Sequence, residues 1–95
     1  MTFIKEAPAH QAAWMDLICK LENAQKLVAK TAALAYLGIL AALRLESGIP
    51  FHVKKAKELG TTRNEIISAI LLGLPAAGNI VIQSLPIALA AYDSE

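Results

Sequence analysis

His52 is the one side chain in ESGIPFHVKKAKELGTTRNEI, residues 46–66, whose ordinary pKa lets it give and take a proton near neutral pH. It shares a helical stripe with Ala56 and Leu59 and is flanked by Val53, so the pattern points it inward. In the first turn of a helix the positive end of the dipole disfavours protonation, which leaves a neutral imidazole able to accept or relay a proton. A buried structural histidine tied to a backbone carbonyl fits the same pattern, and the sequence leaves both readings open.

The polar residues around it are few. Glu46 and Ser47 lie close in sequence, and Tyr36 and Arg44 fall on one face of the preceding helix with Ala33, Leu37 and Leu40. Together they suit a small polar cluster in an apolar cavity, fit for a small anionic or carbonyl ligand. For Arg44 and Glu46 the plainer reading is an exposed helix-end pair or an intersubunit salt bridge. Tyr36 equally serves as packing. A Ser47–His52 nucleophile pair lacks an aspartate placed to orient the imidazole. Asn79 and Gln83, one turn apart, either line the cavity or hydrogen-bond across a subunit boundary. Cys19 reads as a small inert hydrophobe, and a lone cysteine excludes an internal disulfide framework.

The elements that position these residues are helices. No β alternation occurs, and alanine and leucine dominate. The pattern predicts a first helix over 8–22 with an apolar stripe of Trp14, Leu17, Ile18 and Leu21, which makes it a packing helix. A second, over 28–46, is apolar nearly all round, as in a central helix covered on every side, and Ser47-Gly48 ends it. A third begins near Pro50 and stops at Gly60. Thr62 and Glu65 then form a capping-box pattern for a fourth helix that ends near Leu74, before Pro75. A fifth covers about 77–92, with Pro86 expected to kink or divide it.

The chain has 95 residues and a net charge of +1, and 56% of it is hydrophobic. Ordinary soluble domains hold roughly 45–50% on a count that includes glycine. A single domain of this size buries only about 60–70% of its unfolded surface, so the apolar surplus needs cover. Residues 66–92 lack any charged side chain but contain Gly73, Pro75, Gly78, Asn79, Gln83, Ser84 and Pro86, which read poorly as a membrane span. Burial against copies of the same chain is the better expectation. Acidic and basic residues are interspersed, without the basic stripe of a nucleic-acid binder. The opening MTFIKEAPAHQ has acid and proline where a signal peptide needs an apolar core, so the expected compartment is the cytoplasm.

LVAKTAALA (27–35) and FHVKKAKELGTTRNEIISAIL (51–71) resemble the alkylhydroperoxidase D and carboxymuconolactone decarboxylase family. His52, Ala56, Gly60, Thr62, Glu65 and Ile66 fall in register with its HxxxAxxxGxTxEEI segment. The resemblance implies an all-α, AhpD-like bundle of five to six helices, a single domain over 1–95, assembled as a homo-oligomer, a trimer or a hexamer. In redox-active members, the resemblance implies, a C-x-x-C pair precedes the histidine and a glutamate lies twelve residues before the first cysteine. Counted back from His52, those positions hold Leu45, Gly48 and Ala33. A thiolate is the nucleophile in such chemistry, and leucine and glycine supply none.

The expectation is therefore a family member without thiol chemistry, needing no cofactor or metal and contacting neither nucleic acid nor membrane. Two functions remain open beside a disfavoured thiol peroxidase. One is decarboxylase- or isomerase-type acid/base chemistry at a buried pocket around His52. The other is an oligomeric small-molecule-binding protein that has lost catalysis. The sequence names no ligand.

Overall fold

In a computed structural model that describes residues 2–94, the chain is helical throughout and contains no strand among the described residues. Five long helices carry the fold: α2 (Pro8–Ala24), α3 (Ala29–Ala42), α4 (Ile49–Glu58), α5 (Arg63–Leu71) and α7 (Asn79–Asp93). Two short ones, α1 (Thr2–Glu6) and α6 (Leu74–Ala77), and a 3-10 turn at Glu46–Gly48 complete it. The expected five to six helices correspond to the long elements. The short ones carry too little periodicity to be read from sequence.

Local chemistry explains most boundaries. Pro8 and Pro50 sit in the first turns of α2 and α4, where the missing N–H costs nothing. At α5 the capping box is complete: the Glu65 N–H donates to Thr62 Oγ1 at 3.1 Å, and the Thr62 N–H donates to Glu65 Oε1 at 2.8 Å. At the end of α4, Gly60 takes φ +90°, while its N–H reaches the Lys57 carbonyl and that of Thr61 reaches the Ala56 carbonyl. This is the Schellman arrangement, which satisfies carbonyls the helix leaves over.

The end of α3 repeats that geometry without a glycine. The Leu45 N–H donates to the Leu40 carbonyl and the Arg44 N–H to the Ala41 carbonyl, with Arg44 itself at φ +58°. The helix expected to run to residue 46 therefore stops at Ala42. The chain then passes through the Glu46–Gly48 turn into α4. Pro86 lies inside α7, which continues through it as one helix rather than dividing.

The core lies where α3, α4, α5 and α7 meet, and it is built from Leu37, Leu40, Ile49, Val53, Ile66, Ile70, Val81 and Ala88. Gly38 lets α3 approach α5 so closely that a Cβ there would lie 3.1 Å from the Ala69 carbonyl oxygen. The far end of α7 is tied down three ways. Tyr92 donates its hydroxyl to the Thr61 carbonyl at 3.2 Å, Lys57 Nζ donates to the Tyr92 carbonyl at 2.6 Å, and Arg63 pairs with Asp93 through bonds of 2.9 and 3.0 Å.

Two expectations about covered faces are corrected. α2 packs on α1 rather than on the core, buries no residue, and leaves Trp14, Leu17 and Leu21 at 56%, 49% and 58% exposure. α3 is buried on one side only, at Leu37, Leu40 and Ala41, while Tyr36, Ile39 and, just past its end, Leu43 are exposed. Among the described residues, no helix is long and apolar enough to cross a membrane.

Candidate functional site

His52 occupies the first turn of α4, and two aromatic rings bracket its imidazole. Tyr36, from the middle of α3, has its ring centroid 4.7 Å away at an interplanar angle of 58°, and Phe51 stands edge-on at 5.1 Å. Contacts between α3 and α4 bring Tyr36 across from a position sixteen residues earlier in the chain. The core residues Ile49 and Val53 hold this turn of α4 against the bundle, which fixes the direction in which the imidazole leaves the helix.

The imidazole is half-buried, and no hydrogen bond to its nitrogens forms among the described residues. Its pKa is lowered from the ordinary value of 6.5, first by burial and then by the positive charge of Lys55. Both causes favour the neutral ring, in which one nitrogen can accept a proton. Lys55 also approaches the Phe51 ring, its Nζ lying 5.9 Å from the centroid.

The enclosed pocket expected around His52 is not what a single chain forms. Tyr36 and Phe51 are 46% and 64% exposed, so the histidine lies on an open face. Two concavities lie elsewhere. One of about 450 Å³ lies alongside α3 and α5, lined by Leu34, Asn64, Ser68 and Leu72 among others, and another of about 280 Å³ is bounded by Lys54, Lys57, Glu58 and Ser94. Neither includes His52.

The remaining expected site residues divide clearly. Tyr36 joins the histidine. Arg44 does not share a helical face with it, because α3 has ended and the left-handed turn redirects the chain. Glu46 is half-buried in the 3-10 turn and Ser47 is exposed there. Asn79 and Gln83 are exposed at the start of α7. Phe51 and Lys55 escape a search weighted towards polar clusters; the i, i+3 spacing sets Lys55 on the His52 side of α4, whereas adjacency alone does not set Phe51 there.

Gly48 provides the most telling contact. A Cβ added there would lie 4.0 Å from His52 Cδ2 and 3.9 Å from both Cδ atoms of Leu40. The position at which the resemblance calls for the second cysteine therefore does face the histidine, and it carries no side chain. Cys19, on α2, is exposed. Among the described residues, no group of three His, Cys, Asp or Glu side chains is placed to hold a metal ion.

The model of the carboxymuconolactone decarboxylase family matches residues 8–90. The chain belongs to that family. No curated protein and no solved structure gives a significant match. The matched region of this carboxymuconolactone decarboxylase family member begins at Pro8, the first residue of α2, and runs into the last turns of α7. The outlying α2 is thus an integral part of the family domain.

Proposed function

We propose that this carboxymuconolactone decarboxylase family member performs non-redox acid/base chemistry on a small anionic substrate at the His52 face. The observation that carries the proposal is the imidazole itself: half-buried between the Tyr36 and Phe51 rings, kept neutral by burial and by Lys55, and without a protein hydrogen-bond partner among the described residues. A neutral imidazole in that setting is suited to take a proton from a bound carbon acid or, once it has taken one up from water, to hand it as the imidazolium to the carbanion left by loss of carbon dioxide. Lys55 supplies positive charge on the same side, which favours a carboxylate-bearing ligand. The family's name refers to a carboxylated lactone and its decarboxylation, so small lactone and keto acids are the first substrates to try.

The test is to add a panel of such acids while following the His52 ring resonances and the release of carbon dioxide. Saturable shifts accompanied by turnover, both lost in His52→Gln, are expected. A panel that leaves the ring untouched, or turnover that persists in His52→Gln, overturns the proposal. A second reading, binding without catalysis, is favoured by one observation: among the described residues no carboxylate is hydrogen-bonded to the imidazole to orient it, as a positioned base requires. Saturable shifts without turnover would select that reading. Thiol peroxidase chemistry ranks third, since Leu45, Gly48 and Ala33 supply neither thiol nor carboxylate.

A further inference from the structure

A compact monomer of 10.1 kDa has an accessible surface of about 5,300 Å², whereas this chain has 6550 Å². Its radius of gyration is 14.5 Å, against about 12–13 Å for a compact domain of this length. The excess surface, roughly 1,200 Å², exceeds the roughly 800 Å² that each partner buries in a standard stable interface.

The excess has an identifiable source. α2 is about 25 Å long and leaves the bundle as an arm. Gln25 and Val28, in the linker to α3, are both extended, with ψ of 146° and 152°. Gln25 Oε1 accepts the Leu27 N–H at 2.6 Å, which braces the linker in that shape. The arm is therefore directed away from its own α3 instead of folding back along it.

Two apolar stripes are left without cover, and they have the same period. On α2 the stripe is Trp14, Leu17 and Leu21; on α3 and its C-cap it is Tyr36, Ile39 and Leu43, again at i, i+3 and i+7. Each spans about 10 Å along its helix. Both belong to the matched family domain, so any second copy of the chain presents the same pair.

We infer that the α2 arm of one copy packs its Trp14–Leu17–Leu21 stripe against the Tyr36–Ile39–Leu43 stripe of a second copy, and so closes the open side of the His52 site. Reciprocal exchange buries both stripes of both chains in a closed, self-complementary pair. It also converts the open face at Tyr36 into an enclosed one. The packing of the arm stands on the geometry alone; only its role in closing a ligand site rests on the function proposed above.

The experiment uses the full chain and single charged substitutions on each stripe. Both stripes are exposed in one chain, so Leu17→Lys and Ile39→Glu should keep the helical circular dichroism. Each alone should weaken self-association about tenfold or more, as loss of a central interface anchor does. Mixed together, the two variants should re-associate, because the lysine-bearing arm then meets the glutamate-bearing face while the unchanged arm meets the unchanged face. Trp14, the sole tryptophan, reports the same event: its emission should shift to the red as the wild type is diluted and start red in Leu17→Lys. Light scattering that finds a 10.1 kDa monomer throughout, association unaffected by either charge, or no recovery on mixing overturns the inference. These readouts are independent of turnover, so a chain that associates as described but ignores every acid tested separates failure of the chemistry from failure of the packing.

Discussion

The Tyr36 and His52 rings, carried by different helices, lie with centroids 4.7 Å apart and tilted by 58°. Removing part of the ring's hydration disfavours its charged form, and Lys55 adds repulsion. The His52 imidazole should therefore titrate below 6.5 in the folded protein. The unfolded chain then binds the proton at higher pH than the native one, so acidification favours unfolding. The destabilisation begins as pH falls through about 6.5 and is complete below the depressed folded value. Chemical denaturation at a series of pH values, with His52→Gln as control, should show a slope in that window for wild type and a flatter one for the variant. Ring resonances of a His10→Gln background isolate the His52 titration, and a value at or above 6.5 would refute the neutral-base assignment.

Arg44 and Gly60 hold the same place in two helix ends, each in the left-handed region with a Schellman pair of hydrogen bonds. Glycine is at ease there, whereas a side chain bearing Cβ is strained by about 1–2 kcal/mol. Nothing lies within 4 Å of a Cβ built on Gly60, so Gly60→Ala tests the backbone alone and should lower stability by about 1 kcal/mol. Arg44→Gly should act in the opposite direction, by somewhat less, because glycine also gains freedom in the unfolded chain. Opposite shifts in the denaturation midpoint are the expected result.

This pair also marks how far the sequence can be read. Pro50, Gly60 and the Thr62–Glu65 capping box are legible because their own chemistry dictates a start or a stop. Arg44 is not a stop signal, so the apolar pattern carries α3 on through a turn whose geometry is set by the packing of residues 45–49. The apolar stripe of α2 is equally visible, but periodicity says that a face wants cover, not which surface supplies it. Val53 and Ala56 mark the buried face of α4 in the sequence, and His52 is only half-buried beside it. Its actual surroundings depend on Tyr36, reached only through the packing of α3 on α4.

Ser84 is fully buried on α7, and its hydroxyl has no hydrogen-bond partner among the described residues. An unpaired buried hydroxyl costs about 1–3 kcal/mol, while its replacement by alanine removes the unmet group and little volume. Alanine also favours helix more than serine does. Ser84→Ala should therefore raise stability by about 1 kcal/mol, read as a higher denaturant midpoint at unchanged slope. A loss instead would mean that the hydroxyl finds a partner in the assembled protein.

Gly48 decides whether thiol chemistry is possible at His52. The position faces the imidazole, yet the wild type carries no sulfur there and its only cysteine is on α2. Wild type and Cys19→Ser should consume an alkyl hydroperoxide at the same background rate. A rate that vanished in Cys19→Ser would bring that thiol to a histidine of its own or another copy. Gly48 has φ −87° and ψ −14°, a conformation open to any residue, and an added Cβ meets only ordinary contacts at 3.9–4.0 Å. Gly48→Ala should thus stabilise the fold by about 0.4–1 kcal/mol through the unfolded state, which in a domain of this size raises Tm by roughly 2–8 °C. Stabilisation without any peroxide activity in either form is the expected outcome.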